Sequence, residues 1–114
     1  MDVVIIVKRF NICLVQLNPT KGSELQKTRP CLVISPDSMN LSRLKTIIIA
    51  PMTSTIREGF PTRVDVTFQS KKGQIALDQL RVIDRGRIMK VVGTLQSAET
   101  KNKVLHILQM MFSN

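Results

Sequence analysis

Short apolar runs separated by turn residues fill the chain as far as Leu95, and helical spacing appears only after it. Phe10 to Leu17 carries Ile12, Cys13, Leu14, Val15 and Leu17 and reads as a strand, closed by the turn chemistry of Asn18-Pro-Thr-Lys-Gly22. Cys31 to Ile34 and Thr46 to Ala50 are continuous apolar runs, as expected for strands buried on both faces. Pro36-Asp-Ser breaks the first, Ser38 to Leu44 leaves room for a helical turn, and Pro51 ends the second. Thr62 to Phe68 alternates most clearly, with Val64, Val66 and Phe68 on one side and Arg63, Asp65 and Thr67 on the other. Gln69 to Gln74 reads as a hairpin connection in which Gly73 is available for a positive φ. Beyond it Ile75 and Leu77 share one parity and Leu80 and Val82 the other, so a bulge or bend is expected at Asp78-Gln79. Ile88 to Leu95 is the last strand.

The tail changes period. Ser97 suits an N-cap and Glu99 the first turn, while Val104, Leu108 and Met111 recur at helical spacing with Leu105 and Phe112 widening the stripe. His106 falls on an exposed or rim position. The predicted class is therefore mainly β with a C-terminal helix, a small barrel or sandwich of about five or six strands.

Composition narrows the function. The 114 residues suit one domain that buries roughly two-thirds of its unfolded surface, and 43% apolar content argues for a folded chain. Seventeen Lys and Arg against eight Asp and Glu give a net charge of +9, which favours polyanionic partners. No apolar run approaches the roughly 20 residues of a membrane span. The Met-Asp start turns basic only after its apolar run, the reverse of a secretory signal, so the cytoplasm is expected. Cys13 and Cys31 lie inside apolar runs and read as buried reduced thiols, with a bridge between neighbouring strands as the alternative. A single histidine and scattered carboxylates leave no pattern for zinc or a two-metal centre, and no cofactor is implied.

The candidate chemistry lies at two strand ends. If the strands ending at Ser35 and Met52 are antiparallel neighbours, Arg29 at the start of one lies near Thr53 at the end of the other. A fixed guanidinium beside a hydroxyl makes an anion pocket that fits a phosphodiester. An Arg29–Glu24 clasp, with Thr53 merely terminating a strand, is the structural alternative. Arg81 to Arg87 reads as a solvated, salt-bridged turn and Lys71-Lys72 as hairpin solubilisation. Phe60, in the loop Ser54 to Pro61, is the aromatic available for base stacking, with packing of that loop as the alternative, since Phe68 and Phe112 read as core.

Gly22-Ser-Glu24 with Thr28-Arg-Pro-Cys-Leu-Val-Ile-Ser35, Pro51-Met-Thr-Ser54 and Leu77-Asp-Gln-Leu-Arg-Val-Ile-Asp84 together resemble the MazF/PemK family of toxin endoribonucleases. The likeness runs from about Lys8 to the C-terminal helix, so residues 1–114 are expected to form a single domain of this kind. Residues 1–7 stand as an N-terminal extension, either an extra edge strand or a cloning remnant. The resemblance implies an SH3-like, CcdB-like barrel, a homodimer, metal-independent cutting of single-stranded RNA and silencing by a cognate MazE-like antitoxin. It implies catalytic roles for Arg29, Thr53 and Glu24, and RNA contacts from Asp78 and Gln79; Lys27, Thr28, Ser54, Phe60 and Arg81 are expected to contact RNA as well. One branch of the family carries histidine where this chain has Ser23 and arginine where it has Ala76, so the pattern is closer to the branch relying on arginine and threonine.

Two other functions share the fold. A CcdB-like gyrase poison needs a C-terminal Trp-Gly-Ile, whereas this chain ends Met110-Met-Phe-Ser-Asn114 and has no Trp. A non-catalytic RNA- or peptide-binding barrel would use the arginine pocket only to hold an anion.

Overall fold

The computed structural model describes residues 5–114. Seven strands form one strongly curved sheet: β1 (Asn11–Gln16), β2 (Thr28–Val33), β3 (Thr46–Thr53), β4 (Arg63–Phe68), β5 (Lys71–Ala76), β6 (Arg81–Asp84) and β7 (Ile88–Thr94). A single turn of helix, α1 (Asp37–Asn40), joins β2 to β3, and α2 (Ala98–Met111) closes the chain. The sheet runs β4-β5-β3-β2-β1-β7, with β6 also paired to β3. This is the mainly β half-barrel with a C-terminal helix that the pattern predicts, with one strand more than expected.

The continuous apolar runs are explained by two cores. Cys13 and Val15, Cys31 and Val33, and Ile47 and Ile49 enter one cluster; Ile12, Leu32, Ala50 and Met52 enter the other, which Val104 of α2 completes. Over these central residues strands β1 to β3 therefore have no solvent face. Each fully buried Leu or Ile there contributes about 1.5–3 kcal/mol. Cys13 and Cys31 face each other across β1 and β2 as free, fully buried thiols. Burial pushes Cys13 up to about 11 and Cys31 up to about 12, the second helped by its neighbour.

Several details depart from the sequence pattern. β3 does not end at Pro51 but continues to Thr53. The hairpin turn is Gln69-Ser70, with φ of 51° and 64°, and Gly73 sits inside β5 outside the left-handed region. The phase change at Asp78-Gln79 is a 3₁₀ turn, Leu77–Gln79, after which Ile83 rather than Val82 faces the core; Val82 is 58% exposed. Ser97 caps α2 by accepting from the Thr100 amide, as expected, but Phe112 lies past the sheet and is 74% exposed. His106 is exposed. Val7 is buried in the first core and Ile5 packs against it without forming a strand, while the edge-strand expectation for residues 1–4 lies outside the described residues.

Among the described residues the basic segment after β5 forms no salt bridges. Arg81 donates to the Leu17 carbonyl at 3.2 Å, Arg85 to the Leu44 and Asn40 carbonyls at 2.8 and 2.6 Å, and Arg87 to the Gln16 and Asn18 carbonyls at 3.2 and 2.7 Å. These guanidiniums hold the β1–β2 loop and the α1 turn in place. No helix of the described residues is long and apolar enough to cross a membrane.

Candidate active site

The antiparallel pairing of β2 with β3 sets Cys31 opposite Pro51, and continuing that register brings Arg29 across from Thr53. Both side chains line one hollow of about 330 Å³. Thr53 is 93% buried, so its hydroxyl is held by the strand, and its Oγ1 accepts the Thr55 amide at 3.1 Å while keeping its own proton to donate. Arg29 is half-buried and its Nε donates to the Gln26 carbonyl at 2.8 Å, which fixes the guanidinium plane. No clasp with Glu24 forms: the Arg63–Asp78 contact is the one ion pair among the described residues.

Lys27, Thr28 and Ser54 line the same hollow, as expected. Lys71 and Lys72 line it too, and this is what sequence reading missed. They are distant in sequence, but β5 pairs with the end of β3, Thr53 opposite Gln74, and so carries its first residues to the site. The hollow thus holds four cationic side chains, Lys27, Arg29, Lys71 and Lys72, and no carboxylate or imidazole. Four like charges share this space only because the groups are hydrated or await an anion.

The remaining candidates are elsewhere. Glu24, Asp78, Gln79 and Arg81 line a separate hollow of about 460 Å³ that shares no residue with the first. Glu24 accepts the Lys21 amide within its own loop. Gln79 clips that loop by accepting from the Leu25 amide at 2.6 Å and donating to the Ser23 carbonyl at 3.1 Å. Asp78 receives both Arg63 nitrogens, Nε at 2.7 Å and Nη2 at 3.1 Å, which holds its carboxyl below the ordinary value of 3.8 despite partial burial. Phe60 packs over the Arg63 guanidinium, 5.5 Å from ring centre to Cζ, and lines neither hollow. Ala76, where one branch of the resembling family has arginine, is fully buried, so no side chain there reaches solvent. Among the described residues no three His, Cys, Asp or Glu side chains group as a metal cluster.

A phosphodiester is the group that this first hollow complements: a compact anion with several acceptor oxygens and no donor. Residues 8–112 match the family described as the PemK-like, MazF-like toxin of type II toxin-antitoxin systems. The endoribonuclease EndoA of Bacillus subtilis is 34% identical over 110 residues, spanning 92% of this chain and 93% of its own. The fold is similar to the crystal structure of MazF from Deinococcus radiodurans, with a TM-score of 0.77, 22% identity and coverage of 95% of this chain and 97% of that one. It is also similar to a MazE–MazF crystal structure from the same organism, with a TM-score of 0.73, 19% identity and coverage of 96% and 98%.

Proposed function

The chain belongs to the PemK-like, MazF-like toxins of type II toxin-antitoxin systems, and on that premise we propose that it is a metal-independent endoribonuclease whose active site is the hollow between Arg29 and Thr53. The observation that carries the assignment is charge: four cations and a buried threonine hydroxyl surround a space without one carboxylate. RNA needs no external nucleophile, because its 2′-hydroxyl stands next to the phosphate it attacks. As that oxygen bonds to phosphorus and the 5′-oxygen departs, negative charge grows on the non-bridging oxygens. Arg29 stabilises that charge, and Thr53 donates a hydrogen bond to one of those oxygens. Products are a 2′,3′-cyclic phosphate and a 5′-hydroxyl, the departing 5′-oxygen taking its proton from water.

A guanidinium stays protonated and makes a poor base. Glu24 lines a different hollow, so its position in this chain gives no support to its expected role as proton acceptor. The proton of the 2′-hydroxyl is assigned instead to water in the wet hollow, its loss eased by the surrounding positive potential. Lys27, Lys71 and Lys72 bind the flanking phosphates.

The partners follow from the same premise. A MazE-like antitoxin is supported by the MazE–MazF complex of similar fold and by the +9 charge, which suits an acidic segment. A homodimer is supported by exposed apolar side chains such as Val82, Met89 and Val91. Two free buried thiols fit the cytoplasm. A CcdB-like gyrase poison and a non-catalytic binding barrel remain the rival readings. The test is incubation of purified protein with a long RNA and EDTA, followed by mapping of ends. Discrete fragments with 5′-hydroxyl ends are expected; retarded but intact RNA would reduce the site to an anion-binding pocket.

A further inference from the structure

A larger hollow, about 800 Å³, lies beside the one that holds Arg29. It opens where the curved sheet fails to close, because β4 and β7 are the two outer strands of the order. Asp65 to Phe68 of β4 form one side; Thr94, Leu95 and the start of α2 form the other. Val66, Phe68, Lys72 and Gly73 line this hollow and the Arg29 hollow alike. The two therefore adjoin, with the β4–β5 ribbon as their common wall, a pair of strands about 4.8 Å apart.

Their chemistry differs in kind. The second hollow has an apolar floor that includes Ile12 and Leu95, both buried, and the half-buried Phe68 ring. That ring lies against β7 at a position only glycine leaves open: a Cβ at Gly93 would stand 3.0 Å from the Phe68 Cε1. At the rim are two carboxylates, Glu58 and Asp65. Asp65 accepts from Gln74 Nε2 at 2.9 Å through one oxygen, and neither carboxylate is in an ion pair. Carboxylates repel a phosphate backbone but accept from N–H groups. An apolar floor, an aromatic face and acceptors at the edge together complement a nucleobase that carries an amino group.

We propose that this hollow is a nucleobase subsite for the residue flanking the cut. The inference rests on the endoribonuclease reading above. The phosphate lies between Arg29 and Thr53, the strand crosses the ribbon beside Lys72, and the base rests on Phe68. Its exocyclic amino group donates to Glu58, while Asp65, turned to the other face of β4 from Phe68, adds negative potential at the strand edge. Guanine, adenine and cytosine supply that group. Uracil presents carbonyl oxygens on both sides of a single ring N–H, and two carboxylates disfavour it.

Single-turnover cleavage of a short RNA pool, randomised around a mapped cut, tests the assignment against Glu58→Gln and Asp65→Asn. Glu58 is an exposed loop residue, so its variant cannot fail by unfolding. Wild type is expected to disfavour uracil roughly tenfold or more at one position beside the cut, and each variant to reduce that to about threefold or less. The same preferences at every position in both variants would overturn the subsite. So would variants that keep the preferences and lose only antitoxin affinity, since the hollow would then seat a peptide. If wild type cuts no RNA at all, the endoribonuclease reading fails separately. Gel-shift binding of the same pool with 2′-deoxy residues then decides: a uracil penalty that Glu58→Gln removes supports the subsite, and its persistence overturns it.

Discussion

Gly73→Ala is the smallest change to the wall of the site that replaces none of its polar side chains. A Cβ at this position would overlap the backbone oxygen of Thr53 and come within 3.3 Å of its carbonyl carbon. Backbone cannot rotate aside as a side chain can, so β3 and β5 must part by about 1 Å to regain an ordinary contact. Overpacking of this kind costs about 1–3 kcal/mol. Against it, replacing glycine removes unfolded-state freedom worth about 0.4–1 kcal/mol. The net loss is about 1–2 kcal/mol, a fall in Tm of roughly 4–8 °C. The chemistry is expected to suffer more. Thr53 moves with its backbone, and a displacement of about 1 Å from the reacting geometry lowers the rate on the order of a hundredfold. Far-UV circular dichroism follows the melt, because the chain has no Trp or Tyr for fluorescence. Single-turnover cleavage follows the rate. A variant that melts and cuts like wild type would show that the β3–β5 approach does not position Thr53.

Asp78→Asn removes the partner of Arg63. Because the Asp78 carboxyl titrates below its ordinary 3.8, its contribution is complete above that value and is lost as pH falls through the lowered one. The stability gap between wild type and variant in urea is expected to be constant from neutral to mildly acidic pH and to close only as pH falls below the ordinary 3.8; a gap that widens there would reverse the sign. Neither Cys13 nor Cys31, with thiols raised to about 11 and 12, should react with a thiol reagent at neutral pH until denaturant is added. Prompt labelling of the native chain would show that the β1–β2 core opens. Four cations at the site predict a slope of about −2.8 for log RNA affinity against log salt, and Lys71→Gln with Lys72→Gln should reduce it by about 1.4. An unchanged slope would remove the hairpin from the RNA path.

The central strands were legible because their burial is two-sided, so Cys31 to Ile34 and Thr46 to Ala50 read as interior strands; that they are antiparallel neighbours, which brings Arg29 near Thr53, was a condition that the pairing of β2 with β3 meets. Local composition was a poorer guide at the hairpin. Gln69 and Ser70 take positive φ because Phe68 pairs with Lys71 across a two-residue turn, and Gly73 answers the nearness of Thr53 instead. The same pairing turns Lys71 and Lys72 from surface charges into part of the site, a fact carried by topology rather than spacing. Arg81, Arg85 and Arg87 reach backbone carbonyls rather than carboxylates, a placement that the fold sets and spacing does not carry. The helical stripe of α2 was read correctly at Val104 and Leu108 but failed at Phe112, where the helix has run past the sheet it covers.

The most direct measurement is a double-mutant cycle of Arg29→Ala and Thr53→Val in single-turnover cleavage of one RNA, with Tm recorded for each variant. Each single change is expected to lower the rate about 10²–10³-fold, or about 2.7–4 kcal/mol, without unfolding the chain. The pair should lose clearly less than the product of the two, since both act on the same phosphate. Near-normal cleavage by Arg29→Ala, or fully independent losses, would mean that the guanidinium and the hydroxyl do not meet on one phosphate.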